Sequence, residues 1–393
     1  MLLSACGGGG SGTGGTRGGG ARQLQLASPE HPVTWPVAAD NPPIQPGMEP
    51  ERDATLKLYN WSDYINADTA KAFEKQYKQY NVKVQVSTFN TMEEALGKIR
   101  SGQTEFDIFF PTYDQLGKLV QSGLLRPLQH SYVDNIDQAW PVFRNPFYDQ
   151  GWQYSVPYVV YSTGIAWRVD KVSEDIAARP NPWDVFWDAR YKGRIGLLDD
   201  MRETMAVVLL RNKIYDLNTG DPAHLDVARK QLVELAQTVN PVVNIKDYVD
   251  LPEARTFVNH AWSGDMVNAQ YYMPKGQSAD VIRYWFPSDS KGPVNNDLMV
   301  LMRGGKNPVL AHHFLNFMLD FDNAMQNMSF VGYQPPLVKV TPELLVEQEY
   351  IAQNLTPAIV TEQHVANGLR ELELSPEVEA RWQDVWQEFK AGG

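Results

Sequence analysis

The chain has 393 residues, of which 43% are hydrophobic and 21% are charged. This length suits two domains with separate apolar cores, and the composition is that of a globular protein, not a disordered or fibrous one. Acidic residues outnumber basic ones 47 to 35, which gives a formal charge of -12. Such a charge repels phosphate backbones and attracts cations, so we expect no nucleic-acid partner.

The first part of the chain contains one cysteine followed by a glycine tract. Leu3-Ser4-Ala5-Cys6 resembles the bacterial lipobox, and Cys6 is the only cysteine in the sequence. Gly7 to Gly20 consists almost wholly of Gly, Ser and Thr, which is typical of a flexible tether. The resemblance implies a lipid on Cys6 and anchoring at a membrane surface. The alternative is an incidental cysteine in a disordered tail. The basic and apolar segments of a full signal peptide are missing, which indicates that the given sequence starts too late.

The next segment is predicted to connect the glycine tract to the folded region. Residues 21–53 are rich in proline and lack a periodic apolar pattern, which predicts an extended lead-in. Residues 1–53 are therefore predicted to comprise a lipoprotein signal remnant, the glycine-rich tether and this lead-in. The sequence contains no run of about 18 apolar residues, so no membrane-spanning helix is predicted.

The folded region begins with alternating strand and helix patterns. Strand patterns occur over 55–60, 82–88 and 107–111. Apolar residues at helical spacing over 66–80, and again between and after the later strands, predict the connecting helices. This β-α-β-α-β-α order is typical of a mainly parallel sheet, in which ligands bind at the carboxyl ends of the strands.

Several predicted helices have clear start and end signals. Thr91 followed by Glu94 has the pattern of a capping box, and Gly102 ends that helix. The dipeptides Asn-Pro at 307–308 and Ser-Pro at 375–376 predict further helix starts. The last helix repeats large apolar side chains at helical spacing, so we expect it to dock onto the body.

A strand-like, proline-interrupted segment at 154–169 predicts a crossing between two lobes. We predict a first α/β lobe from 54–158 plus 297–338 and a second from 159–296 plus 339–393. The two lobes are expected to close over a ligand like a hinge.

The residue types near the predicted strand ends fit a small organic cation. A diamine has two ammonium groups on a short apolar stem. A matching pocket needs separated carboxylates, flat apolar walls and almost no positive charge. The sequence offers such carboxylates and rings: Trp61 to Tyr64 follow the first strand, and Thr112 follows the third.

Tyr59-Asn60-Trp61-Ser62-Asp63-Tyr64 strongly resembles the first binding segment of the putrescine and spermidine receptors of bacterial ABC importers. The similarity continues in the same order from about Leu56 to the C-terminus. Its further segments are Phe106 to Thr112, Trp183 to Trp187, Tyr191 to Gly193, Leu198 to Glu203, Trp262 to Asp265, Asp297 and Gly332-Tyr333.

The resemblance implies an α/β, two-lobed periplasmic-binding-protein fold with a hinge and an interlobe cleft. It implies an extracytoplasmic receptor that binds a polyamine and delivers it to an ABC permease. We further predict a monomer without a cofactor, without a metal site and without covalent catalysis.

Carried over position by position, the resemblance implies that Trp61 and Tyr64 wall the ligand from the first lobe, with Ser62 and Asp63 alongside. Trp262 is implied to cover it from the second lobe. The other implied ligand residues are Thr112, Asp200, Glu203, Asp265, Asp297 and Tyr333.

Plainer interpretations remain open at this point. Asp200 or Asp199 could merely cap the helix that follows. Trp61 could be a core residue, and Tyr333 could belong to a simple turn. Asn295 stands where relatives usually carry a large aromatic residue, so the length of the preferred polyamine stays undecided.

Two other functions fit the same residue types. A sugar receptor of the same fold would also use aromatic walls and acidic acceptors, but sugars need mixed donors and acceptors, often with Arg. Paired carboxylates also occur in glycoside hydrolases, although the separation of the acids is not readable from sequence. His312 and His313 are adjacent on a probable helix and point different ways, so they predict no metal site.

Overall fold

The computed structural model describes residues 25–102 and 105–392. Cys6 and the glycine tract lie outside the described residues, so the lipid anchor stays a prediction. None of the helices within the described ranges has the length and apolar character that crossing a membrane requires.

The described residues form an α/β protein of strands and mostly short helices. The strands are β1 Thr55–Trp61, β2 Lys83–Phe89, β3 Ile108–Phe109, β4 Ser155–Arg168, β5 Ile195–Leu198, β6 Val242–Asn244, β7 Val258–Trp262, β8 Ile282–Trp285 and β9 Val294–Leu301. The α-helices are α1 Ala67–Gln76, α2 Met92–Ser101, α3 Leu116–Gln121, α4 Pro141–Arg144, α5 Met201–Arg211, α6 Pro222–Val239, α7 Asp247–Asp250, α8 Ser263–Asn268, α9 Pro308–Met318, α10 Phe321–Val331, α11 Pro342–Glu347, α12 Glu362–Asn367 and α13 Pro376–Lys390.

The strands pair in the order β2-β1-β3-β9-β4-β7-β5-β6, and β8 pairs with β4. We call the part around β1 to β3 the first lobe and the part around β5 to β8 the second lobe. Strand pairs within each lobe are parallel, whereas β9 and β4 run antiparallel to their neighbours. The expectation of a mainly parallel sheet was therefore wrong for the middle of the molecule, where the sheet is mixed.

The predicted crossing strand is confirmed as β4. Its first part, 155–162, pairs with β9, and its second part, 163–168, pairs with β7 and β8. A register irregularity between Pro157 and Val159 accommodates the proline, which has no backbone N–H to donate. One continuous strand thus belongs to the sheets of both lobes.

Each lobe has its own apolar core. Phe73 and Phe314 are fully buried in the first lobe, and Phe186 in the second. The last helix docks as predicted, because Trp382 is fully buried against the second-lobe core. Burial of such a ring stabilises the fold by about 1.5 to 3 kcal/mol relative to leaving it exposed.

The lead-in at 25–53 contains no helix or extended strand, as predicted, but it is packed against the first lobe. Val33 and Trp35 are each 2% exposed. The Val33 N–H donates to the Phe147 carbonyl at 2.8 Å, and the Trp35 indole N–H donates to the Tyr148 carbonyl at 2.7 Å. The segment is therefore a fixed strap on the lobe surface.

Helix starts follow the predicted signals with two corrections. The Thr91 hydroxyl accepts the Glu94 N–H at 3.2 Å, but the Glu94 carboxylate accepts the N–H of Asn90 instead of closing a capping box. Asn307 precedes α9 without capping it, because its amide donates to Asp107 at 3.0 Å. Ser375 caps α13 through the Val378 N–H at 3.3 Å.

Candidate ligand-binding cleft

A cavity of about 440 Å³ lies where the two lobes meet. It is lined by all the residues for which the sequence resemblance implies contact with a ligand. These residues are Trp61, Ser62, Asp63, Tyr64, Thr112, Asp200, Glu203, Trp262, Asp265, Asp297 and Tyr333. The structure thus brings the predicted set together, and their role in binding stays a prediction.

Strand direction explains why these residues meet. β1 and β3 are parallel, so Trp61 at the end of β1 and Thr112 just beyond β3 lie at the same edge. β5 and β7 are also parallel, so Asp200 just beyond β5 and Trp262 at the end of β7 share an edge in the second lobe. The cavity lies at the carboxyl ends of both parallel sets, the usual place for a ligand.

One part of the cavity, the tyrosine end, holds Asp63, Asp265 and Asp297 beside four tyrosines. Asp297 is 3% exposed and accepts the Tyr64 hydroxyl at 2.8 Å and the Tyr161 hydroxyl at 3.4 Å. Burial raises the pKa of Asp297 to about 7, and the two hydroxyl donors hold it from rising further. The protein thus already supplies donors to this acid.

Asp63 and Asp265 complete the tyrosine end. The Tyr248 hydroxyl of the second lobe donates to the Asp63 carboxylate of the first at 2.9 Å, so this bond crosses the cleft. Asp63 has a φ of 55°, in the left-handed region that Asp tolerates better than most residues. Burial raises the pKa of Asp265 to about 6, and the neighbouring Asp247 and Tyr333 side chains oppose the rise.

The other part, the glutamate end, holds Asp114, Asp200, Glu203 and Glu371. Asp200 accepts the N–H groups of Arg202 at 2.8 Å and Glu203 at 3.1 Å, so it caps α5 as well as lining the cavity. Asp199 does not cap the helix and instead pairs with Lys390 at 2.6 Å. Burial raises the pKa of Asp200 to about 6.

Glu203 is held by the tryptophan that walls the cavity. Its Oε1 accepts the Trp262 indole N–H at 2.7 Å and the Thr163 hydroxyl at 3.0 Å. Its Oε2 is buried and has no hydrogen-bond partner among the described residues. Burial, followed by the charge of Asp200, raises the pKa of Glu203 to about 8. This oxygen lies 4.0 Å from the Nε2 of His260, which is buried beside it.

Aromatic rings form the walls between the two ends. Tyr64 and Tyr333 meet edge to face at 4.7 Å between ring centroids, and Tyr161 lies 6.4 Å from Trp262 in the same manner. Trp61 is partly exposed on the cavity and packs on Phe89 at 4.6 Å. Ring faces and edges of this kind pack methylene groups and attract cations.

Sequence reasoning missed several cavity residues. Asp114 stands two positions after Thr112, and the same strand-end argument would have found it. Tyr161 lies inside the long strand β4, and Tyr248 and Glu371 lie in segments with no motif. Only the tertiary structure places these three beside the predicted set.

The cavity also holds more positive charge than expected. Lys118, Arg202 and Lys246 line it, so the expectation of almost no positive charge was wrong. Lys118 pairs with Glu379 at 2.8 Å, and the Arg202 guanidinium donates to the Leu372 carbonyl at 2.8 Å. Two of the three cations are therefore already engaged by the protein, and nine carboxyl side chains line the same cavity.

No metal centre is apparent in this cleft or elsewhere in the part of the chain that the structure describes. Within residues 25–102 and 105–392 no three or more His, Cys, Asp or Glu side chains are grouped so that they could hold a metal ion. His312 is bonded to the Pro308 carbonyl at 2.6 Å and to the Gln129 N–H at 2.9 Å.

Comparison of the sequence with known proteins finds relatives of this chain. The putrescine/cadaverine-binding protein of Pseudomonas aeruginosa is 28% identical over 305 residues, covering 76% of this chain and 83% of that protein. The spermidine/putrescine-binding periplasmic protein of Escherichia coli is 26% identical over 283 residues, covering 72% and 77%. The predicted resemblance to bacterial polyamine receptors is thus confirmed.

Solved structures agree with this result. The spermidine/putrescine ABC transporter substrate-binding protein PotD of Streptococcus pneumoniae matches with a TM-score of 0.68 at 27% identity, covering 86% of this chain and 99% of that chain. This match confirms the predicted α/β, two-lobed fold. The sequence profile of the bacterial extracellular solute-binding proteins matches residues 68–354. The chain belongs to the family of bacterial extracellular solute-binding proteins.

Proposed function

We propose that this protein is an extracytoplasmic receptor that binds a polyamine, putrescine or spermidine, between its lobes and delivers it to the permease of an ABC importer. The observation that carries the proposal is one cavity with aromatic walls and nine carboxyl side chains against three cationic ones. The relatives named for putrescine, cadaverine and spermidine support the same class of ligand.

The chemistry of the cavity fits both parts of such a ligand. Its terminal ammonium groups would donate to carboxylates at the two ends, and each hydrogen bond to a charged group contributes about 1.5 to 3 kcal/mol. Its methylenes would pack against Trp61, Trp262 and Tyr161, where a desolvated cation contact adds up to about 2 kcal/mol. After ordering costs, such contacts support binding near −8 kcal/mol, or about micromolar affinity.

A sugar fits the cavity less well. A sugar hydroxyl both donates and accepts, so a sugar site needs protein donors beside its acceptors. The cation best suited to that task, Arg202, is bonded to the carbonyls of Leu372 and Leu217 and to the Asn218 side chain. The excess of carboxyl side chains over cationic ones favours a ligand that carries only donors.

Titration calorimetry against putrescine, spermidine, spermine and maltose tests this function. We expect saturable heat with at least one amine and none with maltose. Addition of sodium chloride at matched ionic strength controls for non-specific charge effects. Saturable heat with maltose alone would assign the protein to sugar transport instead.

We also propose the two lobes at their predicted boundaries, 54–158 plus 297–338 and 159–296 plus 339–393. A division within β4 is supported by its pairing, which changes from β9 to β7 and β8 after Ser162, four residues beyond the proposed boundary. Closure would exclude water and strengthen the ion pairs inside. Spin labels placed on Asp68 and Asp226 would report a shorter distance when the amine is added.

The location of the protein follows from its family, since these solute-binding proteins are extracellular. We further propose that a lipid on Cys6 holds it at the outer face of the cell membrane, and that it acts as a monomer without covalent catalysis. The full-length precursor should partition into detergent, whereas the Cys6→Ser variant should stay in the aqueous phase. Equal partitioning of both proteins would contradict the proposal of a lipid anchor on Cys6.

A further inference from the structure

His260 is a buried side chain behind the glutamate end of the cavity, and the proposed site does not include it. It lies on β7, is 1% exposed and does not line the cavity. Its ring packs edge to face on Trp183 and Phe186, at 6.4 and 6.0 Å between ring centroids. Neither ring nitrogen has a hydrogen-bond partner among residues 25–102 and 105–392. A polar ring in such apolar surroundings is unfavourable unless its N–H finds an acceptor.

The strand β7 places this ring beside Glu203. His260 and Trp262 are two residues apart, so they share one face of the strand, and Thr163 of β4 lies directly opposite Trp262. Glu203, in the first turn of α5, accepts the Trp262 indole N–H and the Thr163 hydroxyl on its Oε1. Its Oε2 lies 4.0 Å from the His260 Nε2. One face of the sheet thus surrounds a single carboxyl group with three polar side chains.

The two atoms at this 4.0 Å separation complement each other. The Glu203 Oε2 lacks a donor, and the His260 Nε2 lacks a partner. The separation is about 1 Å wider than a hydrogen bond. The terminal torsions that turn a carboxyl group and an imidazole are broad, so small rotations of both groups close it. A neutral imidazole carries one N–H, which on Nε2 supplies the missing donor.

The charge state of the ring suits this task. Burial lowers the pKa of His260 to about 3, so the ring is neutral near pH 7. The charge of Asp200 raises the pKa of Glu203, and that of Arg202 lowers it. The other titratable side chains whose charges interact with Glu203 are Tyr161, Tyr284 and Glu371. A neutral donor on Oε2 favours the ionised carboxylate without adding a positive charge that would repel a cationic ligand.

We propose that His260 is a positioning residue, whose Nε2–H donates to the Glu203 Oε2 and holds that carboxylate ionised and oriented towards a cation in the cavity. This inference rests on the proposed function and adds to it a determinant of affinity that lies outside the cavity wall. His260 acts only through Glu203 and does not touch the ligand.

Titration calorimetry of the full chain with putrescine tests this role. His260→Leu should weaken binding about fivefold, because leucine fits the same apolar site but offers no N–H. His260→Gln keeps an N–H donor and should stay within about twofold of the wild type. In the Glu203→Gln background, His260→Leu should cause no further loss, because the charge that His260 holds is gone. His313→Leu, at a partly buried histidine of the first lobe outside the cavity, is the matched control and should bind as the wild type.

The pH dependence separates positioning from packing. Without the His260 donor the ionised form of Glu203 is less stable, so the pH at which affinity is half lost should rise by about half a unit in His260→Leu. A packing defect alone would lower the affinity by the same factor at every pH. Calorimetry between about pH 6 and about pH 9 covers the range around the Glu203 pKa of about 8.

The outcomes distinguish this role from the proposed function. If no amine binds the wild type, the proposed function fails and this role fails with it. If putrescine binds but His260→Leu loses the same factor with and without Glu203→Gln, or keeps the wild-type pH profile, only the role of His260 is overturned. Nitrogen NMR of the histidine-labelled wild type with putrescine, with His260→Gln to assign the signal, decides the question even where His260→Leu does not fold. A proton on Nε2 supports the proposal, and a proton on Nδ1 overturns it.

Discussion

The two ends of the cavity hold their acids in different ways. At the tyrosine end the protein supplies the donors, as in the bonds from Tyr64 to Asp297 and from Tyr248 to Asp63. At the glutamate end, Glu203 and Glu371 each keep a buried oxygen without a donor from the described residues. Asp297 and Asp63 are therefore held by hydroxyl donors of the protein, whereas Glu203 and Glu371 each keep one oxygen without a hydrogen-bond donor.

The largest loss of polyamine affinity should come from substituting cavity residues that contact the ligand at one of the two ends. Trp262→Ala removes an aromatic wall and a donor to Glu203, and Asp265→Asn removes a charge from the tyrosine end. Each should weaken polyamine binding about tenfold, or about 1.4 kcal/mol, with little change in thermal unfolding. Calorimetry measures the affinity, and Asp384→Asn, an exposed acid on α13, is the control. Unchanged affinity in both variants would place the ligand elsewhere.

A smaller, several-fold effect should follow from pH. The pKa values of Asp297 and Asp200 are raised by burial to about 7 and about 6. Ammonium groups bind the ionised acids, so affinity should fall as the pH is lowered from about 8 to about 5. A flat affinity profile over this range would contradict the assignment of these acids as contacts.

The stability of the unliganded protein should change with pH in the direction opposite to that of the polyamine affinity. Because the folded-state pKa of Asp297 is raised above its ordinary value, the stabilising contribution of its proton is complete below about pH 4 and is lost as the pH rises through about 7. The melting temperature without ligand should fall over this window while the stabilisation by added amine grows. Calorimetric melting with and without spermidine measures both.

The smallest effect should come from the bond across the cleft. Tyr248→Phe removes the hydroxyl that donates to Asp63, and both residues are partly exposed to water. A bond of this kind contributes about 0.5 to 1.5 kcal/mol, so we expect a loss of about threefold in affinity, mainly through faster dissociation. Stopped-flow release of a bound amine measures it, with Tyr271→Phe as an exposed control.

Sequence reasoning found the residues whose position depends on local structure. Trp61 and Thr112 stand directly at or after strands, so the strand pattern put them at one edge, whereas Asp200 was predicted through the family resemblance. It did not find Glu371, because that residue reaches the cavity only through the pairing of Leu369 beside β9. The mixed centre of the sheet was missed for the same reason, since β9 returns to β4 over a long separation in sequence.

The strand β4 has a mechanical consequence. Because it runs unbroken from its pairing with β9 into its pairing with β7 and β8, the two walls of the cleft are joined by one continuous strand. Such a joint permits a shallow rotation about one axis and resists sliding of one wall past the other. We therefore expect the rings and acids on opposite walls to keep the same alignment whenever the cleft closes.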